Sequence, residues 1–234
     1  MVDGPGGGVT NRRALVNTFT GRLVDVLDLD PADIAIEDIA HALALTNRFN
    51  GHTAYPISVA QHSVAVSRLV QCVAPEAALQ ALLHDGSEAY ASDVTKWLKE
   101  RPEMAAYREI EDRIQRAIFL AFGCDETLHP EVVAADWLMV RFEAWAGYGD
   151  RWQLGEVVPS PTPEEREMVR QAAGFWTPWP WREAKRRFLL EYGSLRSRTV
   201  YKAPTGWRIG PAEGDRSAGR AEVAETADRA PAGL

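Results

Sequence analysis

The spacing of the apolar residues is helical along most of the chain. Ile36, Ile39 and Leu43 recur at intervals of three and four residues, which places them on one face of an α-helix. Ser58 with Gln61 three residues later is typical of a capping box at a helix start. Periodicity and such start signals together predict helices near 36–47, 58–72, 75–85, 87–92, 103–122, 130–146, 163–173 and 181–195.

Further start and stop signals support the same pattern. Thr162 and Glu165 form a second capping-box pair. Three glycines follow periodic segments and are predicted C-terminal caps: Gly123, Gly147 and Gly174. Only residues 22–27 alternate as a strand does, and a lone short strand cannot make a sheet. The predicted fold class is therefore all-α, a compact helical bundle.

Composition indicates one folded domain with two tails. The chain has 234 residues, of which 46% are hydrophobic and 25% charged, a balance typical of a globular domain. Residues 1–16 and 203–234 are predicted to be disordered, because 2–8 and 203–234 are rich in Gly, Ala, Pro and charge. The stretch 203–234 also has too few large apolar side chains to offset the ordering of the chain. The folded domain is expected to span 17–202.

Charge and cysteine content exclude several classes of protein. Asp and Glu number 33 against 26 Lys and Arg, which argues against a nucleic-acid polymer as partner. No apolar run approaches the ~18 residues of a membrane span, and we expect no membrane partner and no secretory signal. Cys72 and Cys124 are predicted to be free thiols, which excludes a disulfide scaffold and a Cys-rich zinc site. The expected location is cytoplasmic.

Several ionisable residues lie on faces that the pattern predicts to be buried. His62 is followed at helical spacing by Val66 and Leu69. The pair His84–Asp85 follows a segment that is apolar nearly all round. A buried carboxylate must be paired, protonated or bound to a cation, because an unpaired buried charge is several kcal/mol unfavourable.

Asp136 lies on a helix with apolar residues one turn before and after it. Two imidazoles and two carboxylates from three helices could hold one divalent metal, with Zn²⁺, Co²⁺ or Mn²⁺ suiting mixed ligands and Mg²⁺ also compatible. The residues alone leave simpler interpretations open. His62 could be a hydrogen-bonded core residue, Asp136 could pair with Arg141 or Arg113, and His84–Asp85 could be an ordinary helix end.

The order of these residues resembles the H…HD…D signature of the HD-domain metal-dependent phosphohydrolases. With Glu88 three residues after Asp85, and Asp93 five further on, the sequence is similar to a narrower branch. That branch holds the bacterial 5′-deoxynucleotidases and the phage-type dATP triphosphohydrolases, and the resemblance covers about 18–195. It implies four metal ligands: His62, His84, Asp85 and Asp136.

The resemblance also implies roles around the metal. Glu88 matches an acidic residue near the attacking water and phosphate, and Asp93 one at the substrate sugar or the water. Arg48 matches a phosphate-binding arginine. Lys96 and Lys99 resemble basic residues of a phosphate channel.

One position departs from the family pattern. Phe49 stands where the deoxynucleotidases have a tryptophan that excludes the 2′-hydroxyl, so selection of deoxy over ribo substrates is open. Arg22 is a further candidate cation for the substrate. The relatives form dimers or larger rings, which implies a homo-oligomer. The basic segment 182–202 is read as a solvated face, with oligomer contact or substrate attraction as alternatives.

The expected function is metal-dependent hydrolysis of deoxynucleoside or ribonucleoside phosphates. Four basic residues beyond the metal site favour a triphosphate substrate such as dATP, with release of triphosphate: Arg48, Lys96, Lys99 and Arg22. The alternatives are a 5′-deoxynucleotidase that releases phosphate from monophosphates and a non-catalytic module that binds a nucleotide. A structural helical adaptor would give the buried acids no purpose.

Overall fold

The computed structural model describes residues 13–173 and 177–197, and most of these residues are helical. The prediction of an all-α fold is confirmed. Short 3₁₀ turns join some of the elements, such as Arg48–Gly51 and Pro75–Ala77. In chain order the strands and helices are β1 (Leu15–Asn17), β2 (Leu23–Asp25), α1 (Ile36–Leu45), α2 (Val59–Val73), α3 (Ala78–Leu83), α4 (Glu88–Ala91), α5 (Lys96–Lys99), α6 (Ala105–Phe122), α7 (Pro130–Tyr148), α8 (Pro163–Ala173) and α9 (Trp181–Arg196).

The hairpin β1–β2 corrects the expectation that the strand-like stretch 22–27 has no partner. The two strands pair antiparallel, with Val16 opposite Val24. Strand β1 includes Leu15 and Val16, which the sequence assigned to the N-terminal tail. The hairpin is fastened to α1, because the backbone N–H of Thr20 donates to an Asp38 oxygen at 2.6 Å.

The helix ends follow the sequence signals at most of the described positions. Ser58 Oγ accepts from Gln61 N at 3.2 Å, and Thr162 and Glu165 bond to each other reciprocally. Gly123 ends α6 with a φ of 72°. The exceptions are α5, which the periodicity missed, and Gly147, which lies inside α7 instead of after it. The predicted cap Gly174 lies outside the described residues. So do residues 1–12 of the predicted N-terminal tail, residues 198–202 of the predicted domain and the whole predicted C-terminal tail, 203–234.

Helix α2 lies between two apolar cores. One face packs with α1, α6 and α9 in a cluster that includes Leu43, Val64 and Phe188. Its other face packs with α7 and α8 in a cluster that includes Leu69 and Met139. Each such fully buried side chain contributes about 1.5–3 kcal/mol. Because α2 is buried on both sides, its polar side chains need partners inside the protein.

The polar residues of α2 have those partners. The side-chain amide of Gln61 donates to Thr177 O at 3.1 Å, and its oxygen accepts from Trp179 N at 2.9 Å. The hydroxyl of Ser67 donates to Ala78 O at 2.9 Å. His62 lies on the same helix with no solvent exposure, and its partners form the candidate site described below.

Gly147 lets the loop after α1 approach α7 closely. A Cβ on Gly147 would lie 2.6 Å from Thr53 Cγ2, too short for a real carbon contact, and 3.0 Å from Thr53 Cβ, which is unusually tight. The same contact includes a hydrogen bond from Ala54 N to Gly147 O at 2.9 Å. A residue without a side chain is therefore required at this point of α7.

Every helix in the described ranges is too short or too polar to cross a lipid bilayer.

We expect Gly147→Ala to lower the free energy of unfolding by about 1–3 kcal/mol, because the added methyl group overpacks the contact with Thr53. The matched control is Gly193→Ala in α9, where an added Cβ meets nothing within 4 Å. That control should raise the free energy of unfolding by about 0.5–1 kcal/mol through helix propensity. Urea unfolding of both variants measures the difference, and equal effects would contradict the close approach.

Candidate metal centre

Three side chains from separate elements bring their ligand atoms together. His62 lies on α2, His84 directly follows α3, and Asp136 lies on α7. His62 Nε2 is 3.3 Å from His84 Nε2 and 3.1 Å from Asp136 Oδ1. One donor atom of each lies within 4.8 Å of the other two, and the group could hold a metal ion.

The spacing of these atoms fits one small divalent cation. Four ligands at the 2.0–2.1 Å typical of zinc lie about 3.3–3.4 Å from one another in a tetrahedron. The distances from His84 Nε2 to the nearest oxygens of Asp136 and Asp85 are 3.7 and 3.3 Å. Asp85 also lies 3.6 Å from His62 Nε2. Asp85 contacts the two imidazoles through different oxygens, Oδ1 toward His84 and Oδ2 toward His62. The structure therefore brings three of the four predicted ligands into one compact group and places Asp85 beside it.

Each imidazole is held by a hydrogen bond on its other nitrogen. His84 Nδ1 donates to Ala81 O at 2.8 Å, and His62 Nδ1 donates to Glu143 Oε1 at 3.0 Å. Both bonds leave Nε2 to face the shared centre, which is the arrangement typical of metal-bound histidine. In neutral rings, two lone pairs 3.3 Å apart would repel, so a proton or a cation is needed between them.

Arg48 lies beside this centre and is itself buried. Its Nε donates to Glu143 Oε2 at 2.8 Å, and its Nη1 contacts Asp85 Oδ2 at 3.2 Å. The backbone around it is fixed, since Arg48 N donates to Ile57 O at 2.8 Å. Phe49, the next residue, is left-handed with a φ of 55°, a strained conformation for a residue with a side chain.

A cavity of about 240 Å³ opens beside this candidate metal centre. The cavity is lined by nearly all of the substrate-side residues that were predicted from the sequence. Two tryptophans that were not predicted, Trp97 and Trp137, also line it. Trp137 directly follows Asp136, so adjacency to a candidate ligand was a usable signal. The predicted residues along the wall are Arg48, Phe49, Asp85, Glu88, Asp93, Lys96, Lys99 and Asp136.

Arg22 is the predicted residue that the structure does not bring to the cavity. Its guanidinium donates to Ala32 O at 3.2 Å, and it is not among the described residues of the wall. The reason is the hairpin, which directs Arg22 toward the 3₁₀ turn Pro31–Asp33 that precedes α1. The alternative that Asp136 pairs with Arg141 also fails, because Arg141 bonds to both oxygens of Glu165.

The two lysines of the cavity differ in their partners. Lys99 Nζ lies 2.8 Å from Glu111 and 3.9 Å from Glu88. Lys96 is half-exposed, 3.9 Å from Glu100, with its Nζ 5.4 Å from the centre of the Trp137 ring. Lys96 is therefore better placed than Lys99 to meet an incoming anion.

Two carboxyl groups of the cavity bind protons more tightly than usual. Burial, followed by the charges of Asp85 and Asp93, raises the pKa of Glu88 well above its ordinary value. Glu88 Oε2 is buried and has no hydrogen-bond partner among the described residues. Burial also raises the pKa of Asp93. Both groups are suited to holding or passing a proton at the cavity wall.

The pKa values of the candidate ligands are shifted in the directions that their mutual contacts favour. Burial and the Arg48 charge lower the pKa of His62, but Glu143 and Asp136 outweigh them and raise it to about 10. Burial likewise lowers the pKa of His84, yet Asp85 and Asp136 raise it overall. Burial alone would raise the pKa of Asp136, but the two imidazoles hold it well below its ordinary value.

The sequence also identifies relatives. No protein-family model matches the chain. An uncharacterized protein of Rhodobacter capsulatus is 38% identical over 143 residues, which cover 57% of this chain and 72% of the relative. The uncharacterized protein YfdR of Escherichia coli is 33% identical over 150 residues, which cover 63% of this chain and 82% of YfdR. The chain belongs to the family of these two proteins. Neither name describes an activity, so the resemblance to HD-domain phosphohydrolases stays a prediction.

We expect metal affinity to rise with pH between about pH 6 and 9. A cation binds the neutral imidazoles, and the raised pKa of His62 means that a proton must leave first. Mass action then gives about a tenfold gain in affinity per pH unit for each proton displaced. Calorimetric titration of metal-free protein with Zn²⁺ in buffers of different ionisation enthalpy measures both quantities. Affinity independent of pH, with no proton release, would contradict the site.

Proposed function

We propose that this chain is a metal-dependent phosphohydrolase that acts on nucleoside phosphates. The observation that carries the proposal is the convergence of two imidazoles and the Asp136 carboxylate beside a cavity whose wall also presents Asp85, Arg48 and Glu88. The residues that would hold the metal are His62, His84, Asp85 and Asp136. The chemistry that a divalent cation supplies there is a lower pKa for nearby water and neutralisation of a phosphoryl oxygen.

Arg48 is the residue that would position the phosphate. A guanidinium has five N–H donors in a fixed plane, and the bonds to Glu143 and Asp85 use part of them. The remaining donors match the oxygens of a phosphate bidentately. Phosphoryl transfer depends mainly on such positioning and on compensation of charge, so a fixed arginine beside the reacting phosphorus serves it well.

Glu88 and Asp93 would handle protons. In the overall reaction the water oxygen bonds to phosphorus, the bond from phosphorus to the leaving oxygen breaks, and one proton of water ends on that oxygen. A carboxyl group with a raised pKa can carry that proton near neutral pH. The unpartnered Oε2 of Glu88 favours this residue for the step.

The aromatic wall supports a nucleoside as the rest of the substrate. Phe49, Trp97 and Trp137 line the cavity that Arg48 enters. Nucleobases stack on such rings, at about 1–3 kcal/mol per base in nucleic-acid complexes. A phosphate ester without an aromatic group would leave these rings unused.

Charge in the cavity favours a monophosphate over the triphosphate that the sequence suggested. The described wall carries three cations against four carboxyl groups. If Glu88 is protonated, the three remaining carboxylates balance the three cations. One divalent cation then adds two positive charges, which match the two negative charges of a phosphate monoester. A triphosphate needs more cations, and Arg22 is not at the cavity to help. The 5′-nucleotidase variant is therefore the preferred one, with the dATP-type triphosphohydrolase second.

One assay tests the proposal and separates the variants. Metal-free protein is reloaded with Mn²⁺, Co²⁺, Zn²⁺ or Mg²⁺ and offered deoxy- and ribonucleoside mono- and triphosphates, with deoxyribose 5-phosphate as the base-free control. We expect inorganic phosphate from the monophosphates and slower turnover of the control. Inorganic triphosphate as product identifies the second variant. Folded protein that turns over nothing with any metal contradicts hydrolysis and leaves a nucleotide-binding module.

We expect Glu88→Gln to reduce turnover by about 10²–10⁴-fold while the protein keeps its metal, because the change removes a proton carrier and no ligand. His84→Ala is the comparison variant and should lose both metal and turnover. Metal content by mass spectrometry and initial rates are the two measurements. Turnover by Glu88→Gln equal to that of the unmodified chain would remove Glu88 from the reaction.

A further inference from the structure

Glu143 is a buried carboxylate that joins the metal centre to the arginine. It lies on α7 two turns after Asp136, and its side chain has no solvent exposure. Its Oε1 accepts from His62 Nδ1 at 3.0 Å, and its Oε2 accepts from Arg48 Nε at 2.8 Å. Each oxygen therefore receives a donor from a different element, α2 on one side and the loop after α1 on the other.

We propose that Glu143 is a positioning residue that fixes the tautomer of His62 and the orientation of Arg48 together. One carboxylate then couples the metal ligand to the anion-binding arginine. The part of the proposal that concerns His62, called the His62 half below, involves metal binding alone. The Arg48 half rests on the proposed function, since it assigns Arg48 to a phosphate.

The tautomer argument follows from the geometry at His62. A metal binds the lone pair of an unprotonated ring nitrogen, and here Nε2 is the atom that faces His84 and Asp136. A carboxylate can only accept hydrogen bonds, so Glu143 keeps the ring proton on Nδ1. Such outer bonds on ligating histidines are worth about 10–100-fold in metal affinity.

The argument for Arg48 depends on its burial. The guanidinium is fixed at Nε by Glu143 and at Nη1 by Asp85, and the residue is only 9% exposed. Loss of the Nε anchor would leave a buried charge short of a partner and free the plane to rotate. The edge that faces the cavity would then lose its fixed direction.

Glutamine is the informative replacement because it has nearly the same shape. Its amide offers one acceptor oxygen and one NH₂ donor group, whereas His62 and Arg48 both present donors. If the amide oxygen takes Arg48, the NH₂ group faces His62 Nδ1 and favours a proton on Nε2, where the metal should bind. If the oxygen takes His62, then Arg48 Nε–H is left without an acceptor.

The competing interpretation is that Glu143 only neutralises a buried arginine. Glu191 on α9 supplies a matched control for that role. It is 8% exposed, and its Oε2 accepts from the Nε of Arg68 on α2 at 2.9 Å, in a pair that contains none of the site residues. Glu191→Gln therefore removes a comparable ion pair without touching His62 or Arg48.

The first experiment titrates metal-free protein with Zn²⁺ in the absence of any nucleotide. Affinity of Glu143→Gln should fall about 10–100-fold, and that of Glu191→Gln should stay within about twofold of the unmodified chain. Equal affinities in the two variants overturn the proposal, as does an unmodified chain that takes up no Zn²⁺. Circular dichroism and thermal melting of both variants report whether they are folded.

A second measurement needs no variant. Long-range ¹⁵N–¹H spectra of the zinc-loaded unmodified chain report which nitrogen of His62 carries the proton. We expect a protonated Nδ1, and a proton on Nε2 would overturn the proposal even if Glu143→Gln does not fold. Zinc bound at Nε2 itself requires the proton on Nδ1, so this spectrum tests which atom of His62 binds the metal, and the affinities of the two variants test the role of Glu143.

The Arg48 half is tested with inorganic phosphate on zinc-saturated protein. Phosphate affinity of Glu143→Gln should fall about tenfold relative to Glu191→Gln, the loss expected for one charged hydrogen bond. Unchanged affinity would refute the coupling. If both binding effects occur but no nucleotide is hydrolysed by the unmodified chain, then Glu143 positions the site and the proposed function is wrong.

Discussion

The structure depends on the contact between two buried imidazoles, whose Nε2 atoms lie 3.3 Å apart inside the protein. Neutral rings would set two lone pairs against each other there, and only a proton or a cation makes the arrangement favourable. The surrounding groups supply the matching negative charge, from Asp85, Asp136 and Glu143. Since α2 is packed on both faces and His62 has no exposed surface, the neighbouring elements must supply partners for its ring nitrogens.

The helices could be predicted because their signals are local. The capping pairs and the apolar periodicity near Ser58 and Thr162 depend on residues a few positions apart, and the structure shows both caps. The hairpin was missed because the three residues of β1 carry no pattern of their own and gain stability only from pairing with β2. Gly147 was taken for a cap since its true constraint is a contact with Thr53, far away in sequence.

The site was predictable where a polar residue stood on an apolar helix face. His62 and Asp136 show that contrast, and the structure brings their ligand atoms together. Glu143 lies seven residues after Asp136, a spacing that puts both on one face of a helix. Because its sequence neighbours are both polar and apolar, Glu143 resembles an ordinary solvent-exposed acid. Arg22 was the opposite error. The presence of a basic residue in the sequence does not predict where its side chain points, and the turn of the hairpin directs Arg22 away from the cavity.

X-ray absorption spectroscopy of the zinc- or cobalt-loaded protein tests the central claim most directly. The account predicts one metal per chain, with two imidazole nitrogens and carboxylate or water oxygens at about 2.0–2.1 Å. Replacement of His62 should reduce the imidazole scattering by half or abolish metal uptake. A first shell of oxygen atoms alone, with no imidazole contribution, would contradict the account.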